Sequence, residues 1–230
     1  MISKAKIKLI KSLEQKKYRS AEGLFVAEGP KVIGELSKIC RPVEVFEGED
    51  ATKASFLQHP QGMLALFPTS IFENIQPESE LKLMLDGVQD PGNLGTIIRI
   101  ADWFGIDHRY CSRETADVFN PKVVQATMGS LARVKVEYCD LPALLDTLPK
   151  DYPVYGTLLD GNNIYKETLE NRGIIVMGNE GNGLSEAVRQ RVNKRLLIPS
   201  YPEDRPTAES LNVAIATAIV VAEFRRSLTP

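Results

Sequence analysis

The sequence predicts an α/β protein with a mostly parallel sheet and helices on both faces. From Leu81 onward, short apolar segments alternate with segments of helical length, which is typical of parallel strands joined by crossover helices. Three of the connections are polar or glycine-rich loops that follow an apolar strand, where an open α/β sheet binds its ligand. A smaller α/β unit is predicted over residues 1–75. Polar residues 76–80 form the predicted linker to the large domain, residues 81–230.

The smaller unit begins with Ile7, Ile10 and Leu13 at helical spacing among lysines. Further on, Gly29-Pro30 opens a helix, because proline is favoured in the first helical turn. The elements predicted for this unit are a helix over 4–17, a strand over 24–27, a helix over 29–38, and strands over 42–46 and 63–67.

In the large domain, one helix is marked by apolar residues from Ile97 to Phe104 and by Gly105 as its C-cap. The others are predicted from the same alternation of apolar strands and helical spacing. The predicted strands cover 81–85, 109–112, 134–138, 154–159, 173–177 and 196–198, and the predicted helices cover 93–104, 121–131, 141–148, 184–192 and 210–226.

Composition favours a soluble, folded protein. Of 230 residues, 43% are hydrophobic, and the apolar run from Val213 to Ala222 is too short to span a bilayer. We expect neither a signal peptide nor a membrane partner. The cysteines, Cys40, Cys111 and Cys139, form no CxxC pair. We therefore expect no disulfide framework, no metal and a cytoplasmic location.

Charge and histidine content narrow the chemistry. The net charge of −2 counts mildly against a nucleic-acid partner. Seven basic residues nevertheless lie in residues 1–19, against Glu14 alone; they form either a solvated helix face or a phosphate-binding arm. The two histidines, His59 and His108, are expected at the surface, and neither lies beside a nucleophile elbow. The basic residues are Lys4, Lys6, Lys8, Lys11, Lys16, Lys17 and Arg19.

The first motif runs from Gln89 to Arg99 and follows the strand that ends near Asp86. We expect Asn93 to cap the next helix, because its side chain can accept from free backbone amides. Arg99 is either a surface arginine or, since apolar residues flank it, the partner of a specific anion.

The second motif, residues 176–185, contains Gly178, Gly181 and Gly183. These glycines allow positive φ or close approach to a ligand. The motif is neither GxGxxG nor a Walker loop. Within it, Glu180 is either an ordinary turn residue or a carboxylate aimed into the cleft at the strand ends.

The third motif joins Ile198-Pro199 to residues 210–213 through a polar loop, Ser200–Glu209, which is a lid or a plain connection. Ser210 is the expected N-cap of the last helix. Asn212 is expected in its first turn, where its amide contacts backbone or ligand. The three motifs favour nucleotide or nucleic-acid chemistry over metal or thiol chemistry.

Together, the motifs resemble motifs one, two and three of the SpoU (TrmH) family of RNA 2′-O-methyltransferases, in the SPOUT superfamily. The resemblance covers residues 81–228 and includes the segment 128–134. Residues 25–29 through 61–65 resemble the L30e-like substrate-binding domain that is often attached to these enzymes.

The resemblance implies a C-terminal trefoil knot, which is an exception to the rule that chains avoid knots. It also implies S-adenosylmethionine as cofactor, bound near Gly178, Ile198 and Leu211. The partners it implies are rRNA or tRNA and a second copy of the chain, in a homodimer whose site uses both subunits.

The family pattern further implies a catalytic and RNA-binding set made of Arg99, Asn93, Glu180, Ser210 and Asn212. Arg99 would be either the general base or a phosphate clamp, with Glu180 or water then taking the proton. The alternatives are a non-catalytic RNA-binding member and a generic nucleotide-binding protein. Acidic residues in the Ser200–Glu209 loop, namely Glu203, Asp204 and Glu209, leave the RNA substrate open.

Overall fold

The computed structural model describes residues 1–202 and 208–226. Its N-terminal part holds a three-stranded antiparallel sheet in the order β1-β3-β2. The elements are α1 (Lys4–Ser12), α2 (Lys16–Glu22), β1 (Leu24–Glu28), α3 (Pro30–Ser37), β2 (Glu44–Glu47), α4 (Gly48–Ala54) and β3 (Met63–Pro68), followed by a 3₁₀ turn at Thr69–Asn74. The helix predicted over 4–17 is thus two helices, and α4 was not predicted.

The C-terminal part holds a six-stranded sheet in the order β6-β5-β4-β8-β7-β9, and its pairings in the described residues are parallel. This confirms the predicted α/β class. The elements are β4 (Leu81–Asp86), α5 (Pro91–Trp103), β5 (His108–Cys111), α6 (Pro121–Ala126), β6 (Lys135–Tyr138), α7 (Leu141–Asp146), β7 (Val154–Asn163), β8 (Gly173–Gly178), α8 (Glu186–Arg189), β9 (Lys194–Leu197) and α9 (Val213–Arg226).

Side chains that alternate along the strands build a core on each face of the large sheet. In β4, Leu83 and Leu85 join the core beneath α5 and α9, whereas Met84 joins the core beneath α7 and α8. After β6 the chain returns to the other side of β4. The strand order therefore reverses between β4 and β8, which creates a ligand-binding crevice at their carboxyl ends.

The two sheets share one hydrophobic core. Phe25 of β1 stacks on Phe119, with ring centroids 4.6 Å apart, and Phe72 stacks on the same ring. In the segment between the sheets, the Glu78 and Ser79 amides donate to the Asp107 carboxylate. The N-terminal unit is thus packed against the large domain, while the boundary at 76–80 stays a prediction.

Several predicted helix ends were wrong, for local reasons. The helix predicted over 121–131 ends at Ala126, because Met128 and Gly129 have φ values of 53° and 95°, in the left-handed region that stops a helix. The last helix begins at Val213, three residues later than predicted. In the part of the chain that the structure describes, no helix is long and apolar enough to cross a bilayer.

Candidate functional site

The first motif lies at the carboxyl end of β4, beside the end of β8, where Asp86 and Gly178 are register partners. Asp90 caps α5, and its Oδ1 accepts the Asn93 amide at 2.7 Å. The prediction that Asn93 is the cap was therefore wrong. Because Pro91 occupies the first helical turn, where its missing N–H costs nothing, the helix starts one turn earlier and the Asn93 side chain is free for other contacts.

A chain of hydrogen bonds joins all three motifs. Asn93 Nδ2 donates to Glu180 Oε1 at 2.8 Å, and Asn212 Nδ2 donates to Asn93 Oδ1 at 2.9 Å. Asn93 is thus held on both sides, and its amide orientation follows from its partners. Of the five predicted catalytic residues, the structure brings these three together.

Asn212 is the N-cap of α9. Its Oδ1 accepts the amides of Ala214 and Ile215 at 3.0 and 3.2 Å, which satisfies donors that a helix start leaves free. Ser210, predicted to be the cap, is exposed and lies two residues before it. The Asn212 side chain therefore serves backbone and site at once, two roles that the sequence left as alternatives.

Asn179, which the sequence analysis did not single out, shapes the loop that presents Glu180. Asn179 and Gly183 exchange two backbone hydrogen bonds of 2.9 Å. The Asn179 side chain accepts from the amides of Gly181 and Asn182 and donates to the Gly87 carbonyl at 2.8 Å. Asparagine is favoured in turns because its side chain bonds the backbone two residues further on, and in a glycine-rich loop this signal could have identified it.

Arg99 has no ion pair or hydrogen bond within residues 1–202 and 208–226, and its side chain is exposed on α5. Arg99 is therefore at the surface, and the specific anionic partner that its apolar neighbours indicate stays a prediction. The fully buried arginine is Arg109 in β5, whose guanidinium has no hydrogen-bond partner in the described part of the chain. Burial lowers the pKa of Arg109 to about 9.

The residues implied for the cofactor lie along the same edge of the sheet. Gly178 ends β8, Ile198 follows β9, and half-exposed Leu211 precedes Asn212. Residues 198–202 and 208–212 belong to no helix or strand, so their backbone groups can bind a ligand. A β-carbon at Gly178 would lie 2.6 Å from the Leu184 amide nitrogen. The glycine is therefore needed by the loop itself. These residues fit an adenosine-type ligand held by backbone and apolar contacts.

The basic N-terminal segment is only partly free. Arg19 is buried and ion-paired with Asp117 at 2.5 Å, and Lys6 pairs with Glu44 at 2.7 Å. Lys8, on α1, is exposed and has no ion pair in the described residues. The segment is therefore neither purely a solvated face nor purely a phosphate-binding arm.

Other expected features have mixed outcomes. His59 is exposed as predicted, but the side chain of His108 is only 12% exposed and lies 3.3 Å from Glu137; burial lowers its pKa. Glu203 and Asp204 lie outside the described residues, and Glu209 is exposed. No cluster of three metal-ligating side chains is found within the described ranges.

Comparison with known proteins gives consistent matches. The SpoU rRNA methylase family matches residues 80–222, and the MRM3-like substrate binding domain matches residues 4–53. The 23S rRNA (guanosine(2553)-2′-O)-methyltransferase RlmP of Bacillus subtilis is 33% identical over 96% of both chains. The 23S rRNA (guanosine-2′-O-)-methyltransferase RlmB of Neisseria meningitidis is 32% identical over 68% of this chain and 62% of its own length.

Two solved structures share the whole architecture. A TrmH-family protein from Porphyromonas gingivalis has a TM-score of 0.88 and 40% identity, covering 98% of this chain and 99% of that one. An AdoMet-bound rRNA methyltransferase from Sinorhizobium meliloti has a TM-score of 0.85 and 28% identity, covering 100% of this chain and 97% of that one.

Proposed function

The chain belongs to the SpoU rRNA methylase family, and on that premise we propose that it methylates a ribose 2′-hydroxyl in ribosomal or transfer RNA, with S-adenosylmethionine as methyl donor. The observation that carries the proposal is the hydrogen-bonded chain of Asn212, Asn93 and Glu180, which draws one polar side chain from each motif. A protein that only holds RNA has no need of a carboxylate oriented in this way, so the enzyme is favoured over the non-catalytic alternative.

The reaction forms a bond between the 2′-oxygen and the methyl carbon, breaks the methyl–sulfur bond, and releases the hydroxyl proton. When bound, the cofactor supplies the electrophilic methyl group. We assign the proton to Glu180, since one of its oxygens accepts from Asn93 and the other is available. Asn93 orients the carboxylate, and Asn212 orients Asn93.

Arg99 is proposed as the clamp for the phosphate beside the reacting ribose. It is exposed and has no counter-ion in the described residues, so an RNA phosphate can bind it without displacing a protein carboxylate. An arginine base would instead need an environment that favours its neutral form. We therefore favour the phosphate-clamp role of Arg99 over the general-base role, and we assign proton acceptance to Glu180.

The test is methyl transfer from radiolabelled S-adenosylmethionine to an unmodified 23S rRNA transcript. We expect Arg99→Ala and Glu180→Gln each to lower kcat/KM about a hundredfold, with little change in S-adenosylhomocysteine binding by calorimetry. Arg172→Ala, at an exposed ion pair with Glu170 remote from the motifs, is the matched control. Near-normal turnover by either site variant would contradict the assigned roles. Binding of S-adenosylhomocysteine without methylation of rRNA or tRNA would favour the RNA-binding alternative.

We also propose that the protein is a homodimer. The helices α5 and α9 pack together, and each exposes a large apolar side chain, Trp103 at 84% and Ile215 at 54%. Large apolar side chains exposed at both ends of one helix pair support an interface along this pair. Arg99 is on α5, about 9 Å along the helix axis from Asn93, so a second copy packed on this face would place Arg99 near the joint site.

Light scattering after size-exclusion chromatography tests the dimer. We expect twice the chain mass for the wild type and the monomer mass for Ile215→Glu. The matched control is Leu159→Glu, at another exposed apolar residue, on β7. A monomeric wild type at tens of micromolar would count against the homodimer.

A C-terminal trefoil knot is proposed from family membership and from the packing of α9. This helix contacts α5, β8 and the 3₁₀ turn at Ile164–Lys166, so the last segment returns across strands formed earlier in the chain. An experimental trace of residues 195–215 relative to the 179–183 loop tests it. A trace that passes outside this loop would exclude the knot.

A cytoplasmic location is proposed because the protein would meet its rRNA or tRNA substrate there, and because the three cysteines are free thiols. Cell fractionation with an antibody to the protein tests this, and recovery with secreted or envelope proteins would count against it.

A further inference from the structure

We infer that a pocket next to the Asn93–Glu180 pair binds the guanine base of the nucleotide to be methylated. The inference rests on the proposed function and names the substrate base and its subsite. The pocket has a volume of about 460 Å³ and lies at the carboxyl ends of β4, β5, β6 and β8. It occupies the point at which the strand order reverses, and its size suits a nucleoside.

The pocket adjoins the catalytic chain of hydrogen bonds. Gly87 and Asn179, which are hydrogen-bonded to each other, line it, and Glu180 is the next residue after Asn179. Gln89, four residues before Asn93, is also in its wall. Base and ribose of one nucleotide are joined by a single bond. A nucleotide whose 2′-oxygen lies at Glu180 can therefore place its base in this pocket.

The floor of the pocket offers buried hydrogen-bonding groups. Asp86 is only 9% exposed. One of its carboxylate oxygens accepts the Ser185 amide at 2.7 Å, which leaves the other oxygen for a ligand donor. Beside it, the buried Ser112 hydroxyl accepts the Gly87 amide at 3.0 Å. At this depth a ligand donor to the second Asp86 oxygen would further offset the desolvation of the carboxylate.

One wall is apolar. Leu141 and Pro142, at the start of α7, lie beside the half-buried Cys139 thiol. Planar bases splayed out of an RNA strand are held by such surfaces while their edges form hydrogen bonds. The pocket thus combines a wall for the ring with polar groups for its edge.

The charge balance selects the base. Asp86, Glu114 and Asp140 line the pocket together with one cation, Arg113, so the pocket disfavours phosphate and favours a ligand edge with several N–H groups. Guanine presents two adjacent donors, N1–H and N2–H₂, which match carboxylate acceptors, while its O6 and N7 match arginine. The other bases present one donor group beside an acceptor, and the acceptor would face a carboxylate.

The first experiment uses Cys139 as a reporter inside the pocket. In a Cys40→Ser variant, Cys139 is the accessible thiol, since Cys111 is fully buried. We expect GMP at about four times its Kd to slow alkylation of Cys139 by N-ethylmaleimide about fivefold. At the same concentration, AMP, CMP and UMP should protect much less. Equal protection by all four nucleotides, or protection by none, would overturn the inference.

The second experiment tests base choice during methylation. Asp86→Asn should lower kcat/KM on the guanosine substrate about tenfold to hundredfold and narrow the preference for guanosine over adenosine at the target position. S-adenosylhomocysteine affinity should be unchanged. Asp160→Asn, at an exposed carboxylate paired with Arg189, is the control. A merely structural role for Asp86 would lower activity equally on both RNAs, and that result would also overturn the inference.

The two experiments separate this inference from the proposed function. GMP-selective protection of Cys139 without methylation of any RNA would retain the guanine pocket and overturn the enzymatic proposal. Methylation by the wild type with neither protection by GMP nor a changed preference in Asp86→Asn would retain the enzyme and overturn the pocket.

Discussion

The ion pair between Arg19 and Asp117 gives a quantitative test of how the N-terminal unit is held. Both side chains are largely buried, at 4% and 15% exposure, and Arg19 Nη1 also donates to the carbonyls of Leu13 and Glu14 at 2.7 Å. Asp117→Asn leaves the arginine charge buried without its counter-ion. Breaking one partner of a buried pair costs about 3–5 kcal/mol, and we expect the lower end because asparagine still accepts a hydrogen bond.

A cost of about 3 kcal/mol lowers the melting temperature of a chain this long by about 6–12 °C. Urea unfolding followed by circular dichroism, together with calorimetry, measures both quantities. The double variant Arg19→Met, Asp117→Asn removes both charges and should recover at least half of the loss. The exposed pair Glu170–Arg172 is the control, and Glu170→Gln should change stability by less than about 0.5 kcal/mol. A cost of under about 1 kcal/mol for Asp117→Asn, or a double variant no more stable than the single one, would refute a buried ion pair that holds the N-terminal unit.

Two further predictions concern packing and pH. In the urea assay, Gly95→Ala should lower the free energy of unfolding by about 1–3 kcal/mol, because its β-carbon would meet Ala126 and lie 2.9 Å from the Val123 carbonyl oxygen. Gly34→Ala, in α3 with open space around it, should instead raise the free energy of unfolding by about 0.4–1 kcal/mol. Burial lowers the pKa of His108, so its contribution to stability is complete above its unfolded pKa of about 6.5 and is lost as pH falls through the folded pKa. The urea midpoint should therefore fall less between about pH 7.5 and 5.5 in His108→Gln than in the wild type, and an identical fall would refute the assignment; exposed His59→Gln should behave as wild type.

The sequence predicted the central strands β4 and β8 well because each is a local apolar run. β4, for example, was expected over 81–85 and is found at Leu81–Asp86. Helix ends were predicted less well, because they depend on which of several capping residues is used. Asp90 and Asn93 are both competent caps, and the fixed φ of Pro91 selects the earlier one.

The contacts of the site could not be predicted, because they join residues far apart in the chain. Asn212 and Asn93 are 119 positions apart, and Asn93 and Glu180 are 87 apart. The sequence indicated that these residues share an edge of the sheet, but not which side chains pair. It also missed Arg109, since an arginine in a short strand gives no local sign of complete burial.

The aromatic contact between the two sheets has a geometric consequence. Phe119 is packed between Phe25 and Phe72, and the connecting segment is hydrogen-bonded to Asp107. These contacts hold the N-terminal unit at a fixed distance from the carboxyl ends of the large sheet. An RNA gripped by the first unit would offer the catalytic edge a nucleotide at one set distance from the grip. The distance between the two parts of the protein would then select the position of the methylated nucleotide along the RNA, and the pocket would select its base.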